Sequence, residues 1–115
     1  MIRFDGANDS LSVDWANLTQ PNEIVMVSRQ RSLGFGGYVF DGVNSTQRHL
    51  FYYSGSPQDS FNFGTSSHLS WAATDELTTH LWRFVLNGAS SDAYMDEASV
   101  KSGDAGAQVF GGLLL

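Results

Sequence analysis

In several short stretches of this chain, apolar residues fall on every second position, and Gly, Asp or Asn closes each stretch. Leu11, Val13 and Trp15 alternate with Ser12 and Asp14. Phe61 and Phe63 flank Asn62, Leu69 and Trp71 flank Ser70, and Trp82, Phe84 and Leu86 share one parity. A period of two places those side chains on one face of a strand, whereas a helix would need a period near 3.6. Many short alternating pieces between turn residues exclude a helical bundle and predict an all-β fold.

The remaining segments fit that frame. Ile2 to Phe4 reads as a short strand ending at Asp5-Gly6. Glu23 to Arg29 is a β-branched run between Pro21 and the glycines at 34, 36 and 37, and it reads as a central strand covered on both faces. Tyr38-Val39-Phe40 stops at Asp41-Gly42, and His49 to Tyr53 stops at Ser54-Gly55. Asn87-Gly88 after Leu86 is a tight-hairpin signal, with Ala93-Tyr94-Met95 as the returning strand. Ser99 to Lys101, Val109-Phe110 and Leu113 to Leu115 complete the strands. Thr74 to Leu77 offers one helical turn at most, with a hydroxyl cap and two acids before Thr78-Thr79.

A chain of 115 residues with 42% apolar and 16% charged residues suits one domain with one core. The net charge of −6 repels phosphate backbones, so nucleic acid is not an expected partner. No apolar run approaches the roughly 18 residues of a membrane span, and no basic amphipathic stretch offers a surface anchor. Cysteine is absent, which removes disulfides, thiolate metal sites and a cysteine nucleophile. Met1 leads straight into Ile2-Arg3-Phe4 without a secretory pattern, so a role outside a cell is expected to follow assembly instead of export.

Two stretches carry a resemblance. Phe4-Asp5-Gly6-Ala7-Asn8-Asp9-Ser10-Leu11-Ser12-Val13 resembles the opening strand pair of the laminin G-like branch of the concanavalin A-like lectin/glucanase superfamily. Trp82 to Gly88, with Tyr94-Met95-Asp96, is similar to its Trp-containing strand, hairpin and Tyr-x-Asp-Gly return. Glu97 stands where that pattern has Gly. The resemblance implies an antiparallel two-sheet jelly-roll sandwich, as found in phage virion proteins and extracellular adhesins. It also implies that strands normally following Leu113-Leu114-Leu115 are missing, which would leave these residues as an open edge for a protein partner or for self-association.

Chemistry is sparse. No Glu-x-Asp-x-x-Glu, His-Glu-x-x-His or Gly-x-Ser-x-Gly occurs, and His49, His68 and His80 lie far apart in the sequence, so no enzyme is expected. No cofactor is required. The resemblance makes calcium a candidate ligand, with Asp9, Asp41 and Asp96 as its carboxylates. Tyr52, Tyr53 and Trp71, near loop signals, are the candidates for stacking on a glycan. The expectation is a non-catalytic structural or interaction module of a virion or other particle surface, or an extracellular one, working through protein contacts. A glycan-binding lectin-like module is the alternative, and a fragment of a glycoside hydrolase comes third.

Overall fold

A computed structural model of the chain describes residues 11–29, 37–54, 60–73 and 77–115. They form ten strands and no α-helix: β1 (Ser12–Leu18), β2 (Asn22–Ser28), β3 (Gly37–Phe40), β4 (Leu50–Tyr53), β5 (Ser60–Gly64), β6 (His68–Ala72), β7 (His80–Leu86), β8 (Ser91–Met95), β9 (Ala98–Gly103) and β10 (Phe110–Leu114). One four-stranded sheet runs β2-β7-β8-β9, a second runs β3-β4-β5-β6, and β1 pairs with β10 as a ribbon. Every pairing is antiparallel.

The two four-stranded sheets pack face to face through the alternating aromatics. Phe51 of β4 lies 4.9 Å from Trp82 and 4.8 Å from Phe84 of β7, ring centre to ring centre. Phe63 stacks on Phe84 at 4.4 Å, and Phe61 meets Trp82 edge-on at 5.1 Å. The fold is an antiparallel β-sandwich, as the period of two predicts, and its longest-range pairs nest, β1 with β10 and β2 with β7. At one side β6 and β9 approach each other. A Cβ on Gly103 would meet the Leu69 side chain at 3.2 Å, so a bare backbone is favoured there.

Three expectations change. The Glu23–Arg29 run is not a central strand, because among the described residues β2 pairs only with β7, and Val25 and Val27 are 60% and 66% exposed. The same alternation that buries Trp82 and Phe84 opposite Met26 and Ile24 turns the valines to solvent. The C-terminal residues are not an open edge either. Leu113 and Leu114 pair with Val13 and Ser12, and Leu115 exchanges backbone hydrogen bonds with Leu11 at 2.8 and 3.0 Å. On the other side Leu114 exchanges two more with Asp41, at 2.8 and 2.9 Å, which links the ribbon to the second sheet. Both flanks of this strand are therefore engaged within the chain.

Asn87-Gly88, thirdly, does not make a two-residue hairpin. Gly88–Ser90 forms a 3₁₀ turn, with Gly88 at φ +55° and the Ser91 hydroxyl donating to Gly88 O at 2.7 Å. The two-residue hairpin lies one turn later, where Met95 pairs with Ala98 across Asp96 and Glu97, at φ +51° and +69°. A side chain at Glu97 in the left-handed region costs about 1 kcal/mol that glycine would not. Glu97→Gly is therefore expected to raise the denaturant midpoint by an amount equivalent to about 1 kcal/mol. An unchanged or lowered midpoint would mean that the glutamate makes a compensating contact. Ile2 to Phe4, Asp9 and Thr74 to Glu76 lie outside the described residues, and Leu77 is exposed in a bend.

Candidate functional site: the outer face of the β3–β6 sheet

Because Phe51 and Tyr53, Phe61 and Phe63, and Leu69 and Trp71 face the core cluster, the residues between them face outward. The strand registers align those residues into one row. Tyr38 of β3 pairs with Tyr52 of β4, Tyr52 with Asn62 of β5, and Asn62 with Ser70 of β6. Two aromatic rings, an amide and a hydroxyl thus stand side by side across four strands. The tyrosine rings are 5.3 Å apart and tilted by 41°, and Tyr38 is 60% exposed.

The polar members hold one another in place. Ser70 donates its hydroxyl to Asn62 Oδ1 at 2.8 Å, and Asn62 Nδ2 donates to Ser60 O at 3.1 Å. The Asn62 amide is buried on this face, so its orientation is fixed by partners instead of by solvent. His68 meets Tyr52 edge-on at 5.8 Å. Burial holds the His68 imidazole below its usual pKa, with the Arg48 charge adding to the effect. At neutral pH this histidine is an uncharged neighbour of the row.

Arg48 closes the Tyr38 end. Its Nε and terminal nitrogen donate to the two Asp41 carboxylate oxygens at 2.8 and 2.7 Å, and the same terminal nitrogen donates to the Tyr38 hydroxyl at 3.2 Å. Asp41 raises the guanidinium pKa, chiefly through that hydrogen bond, so the charge is permanent and paired. The guanidinium also lies 5.6 Å from the Tyr38 ring centre. Beside Tyr38 a groove of about 200 Å³ runs between Val39, Phe40 and Asp41 on one side and Leu114 and Leu115 on the other.

Of the three aromatics expected from the sequence, only Tyr52 belongs to this face. Tyr53 is buried at 3% exposure beside Phe61, and Trp71 packs against Phe51, Phe61 and Trp82 with its indole N–H enclosed. Sequence reasoning missed Tyr38, Asn62, Ser70 and Arg48. The signal for Asn62 and Ser70 was present as the complement of the core alternation, whereas their shared row depends on registers that no sequence pattern gives.

Of the expected calcium carboxylates, Asp9 lies outside the described residues, and Asp41 and Asp96 each have partners of their own. Asp41 is occupied by Arg48 and by the Gly42 N–H at 2.7 Å, and a cation there would have to displace a guanidinium. Asp96 accepts from the Leu81 N–H at 2.9 Å and hydrogen-bonds His80 Nδ1 at 2.7 Å. Its carboxyl is held below the usual range by His80 first and the Leu81 N–H second. Among the described residues no group of three or more His, Cys, Asp or Glu side chains could hold a metal ion. No described helix is long and apolar enough to cross a membrane.

No protein-family model, curated protein or solved structure matches the chain. The sandwich architecture accordingly stands on the strands and their pairings, and the laminin G-like likeness stands on the two sequence stretches alone.

Proposed function

We propose that this chain is a non-catalytic recognition module that binds a neutral saccharide on the outer face of the β3–β6 sheet. The observation that carries the reading is the in-register row Tyr38-Tyr52-Asn62-Ser70. Sugar rings present C–H faces that pack on tyrosine, and their hydroxyls need fixed donors and acceptors beside the stack. Ser70, exposed and held in place by its bond to the buried Asn62, supplies such a group, already oriented. The paired Arg48 and Asp41 leave little net charge at the site, which favours a neutral ligand over an acidic one.

The setting in this proposal is the surface of a virion, another particle or a cell, where the resemblance points. Binding without hydrolysis is the reading supported by the acids named above, since Asp96 and Glu97 sit in a hairpin turn and Asp41 is committed to Arg48. The protein-contact reading has its own observation, the exposed valines of β2.

A glycan array with the wild-type chain and Tyr52→Ala tests the proposal. The wild type should retain a neutral saccharide, and removing the Tyr52 ring should weaken binding by about tenfold or more. Tyr52 faces outward, so the thermal midpoint should change little, whereas Trp71→Ala should lower it. A wild-type chain that retains no saccharide, or a variant that binds as well as wild type, would overturn the reading.

A further inference from the structure

The edges of the described strands are not alike. β9 carries a bulge opposite Ala93 and Tyr94, bears Lys101, and lies beside β6. β3 is bulged between Tyr38 and Phe40 and is bridged at Asp41 by Leu114. β1 shifts register between Asp14 and Leu18. Bulges, lysines and covering strands are the devices by which sheet edges avoid pairing with another chain. Among the described residues β2 has none of them. Its seven residues pair with β7 in one unbroken register, Asn22 with Leu86 through Ser28 with His80, and β2 contains no proline or lysine.

The burial along β2 also describes an uncovered edge. Ile24 and Met26 face the core cluster yet are only partly buried, while their β7 partners Phe84 and Trp82 are fully buried. The outward parity is apolar at its centre, Val25 and Val27, and charged at its two ends, Glu23 and Arg29, all exposed. That order is self-complementary. An antiparallel strand of the same sequence, centred on Met26, sets Glu23 opposite Arg29, Val25 opposite Val27, and repeats both pairs through the two-fold axis.

We propose that β2 pairs antiparallel with β2 of a second copy of this chain about Met26, joining the two β2-β7-β8-β9 sheets into one eight-stranded sheet. The backbone groups of the β2 edge make the ladder, and the two valine pairs bury apolar surface on the outer face. Two cross-strand Glu23–Arg29 pairs fix the register. Among the described residues Glu23 has only a long contact with Arg83, at 3.6 Å, so its carboxylate is open to that partner. This contact uses a different surface from the Tyr38-Tyr52 row and does not rest on the saccharide reading.

Sedimentation velocity over a concentration series tests the proposal on four chains: wild type, Glu23→Arg, Arg29→Glu, and the double exchange. The wild type should be a reversible dimer. Each single reversal puts like charges opposite each other twice and should raise the dimer Kd about tenfold or more. The double exchange restores both pairs and should return Kd to near the wild-type value. Glu23→Arg is the sharpest arm because it moves the net charge from −6 to −4 and thereby lessens general repulsion between copies, yet the register requires it to weaken the dimer. Unchanged thermal midpoints would establish that the variants fold. A wild type that stays monomeric throughout, single reversals that leave Kd unchanged, or a double exchange that fails to recover would each overturn the pairing.

Discussion

Phe84→Ala is expected to destabilise the domain by about 3–5 kcal/mol, the range for deleting a large aromatic from a packed core. Phe84 has no solvent exposure and sits where the two sheets meet. It contacts Phe63 at 4.4 Å and Phe51 at 4.8 Å, with Phe40 and Trp82 both at 6.0 Å. Three of these four rings belong to the opposite sheet, and rings held by their own strand pairings cannot close over the void. Domains of this size have a total stability of about 5–15 kcal/mol, so the variant should be partly unfolded at physiological temperature. Urea unfolding at neutral pH measures the effect. A loss below about 1 kcal/mol would show that the core relaxes around the deletion and that the sheets are not locked through this residue. Leu77→Ala, exposed in the bend before β7, is the control and should change stability by only a few tenths of a kcal/mol.

Phe84 also illustrates what was legible in the sequence. Its parity with Trp82 and Leu86 predicts a shared buried face, and all three are buried. The pairs Phe61-Phe63 and Leu69-Trp71 likewise announce both their strands and their inward faces. β2 was legible as a strand and not as an edge, because Ile-Val-Met-Val reads the same with one face covered or two. Distinguishing them needs the knowledge that β7, 60 positions away at the Ile24–Phe84 pair, is its one described neighbour. The two tyrosines of the row behave differently again. Tyr52 could be singled out as an aromatic near a turn, but Tyr38 joins it only because a bulge in β3 lets Tyr38 pair with Tyr52 and Phe40 with Phe51.

The unfinished C-terminal edge expected from the resemblance failed for a related reason. Leu114 is paired through Ser12 and Asp41, residues about a hundred and about seventy positions earlier, and contacts of that span leave no periodicity to read. The acid pair Asp96-Glu97 was legible as a turn. Its work was not, since Asp96 reaches back to clip His80 and the Leu81 N–H at the start of β7. A turn residue with a structural partner sixteen positions away is the reason why glycine is an improvement expected at Glu97 and not at Asp96.

Acid should find one further weak point, the buried His49. Its ring stacks on Phe110 of β10 at 4.4 Å, its Nε2–H donates to Gln108 O at 3.2 Å, and its Nδ1 is enclosed without a partner. Burial pushes its pKa down to about 4, only partly offset by the Gln108 carbonyl, and no charged side chain contributes. In the unfolded chain the imidazole titrates near 6.5, so between about pH 6.5 and 4 the unfolded state binds the proton and the folded state does not. Stability is therefore complete above pH 6.5 and falls as pH drops through that window, by about 3 kcal/mol once pH 4 is reached. The Asp96 carboxyl, whose folded pKa is depressed, holds its contribution above the usual carboxylate range and loses it only in stronger acid. His49→Phe keeps a flat ring against Phe110 and removes the titration, at the cost of the Gln108 hydrogen bond. Its stability should consequently decline less than that of the wild type from pH 7 to pH 5, the remaining decline coming from His68, whose pKa is also lowered. Chemical denaturation of both chains at each pH measures the difference, and parallel curves would mean that some other group carries the acid sensitivity. Because His49 supports β10, and β10 holds both β1 and Asp41, the same protonation should loosen the strand that closes the groove beside Tyr38. Saccharide binding should then weaken over the same pH window in the wild type, and weaken less in His49→Phe.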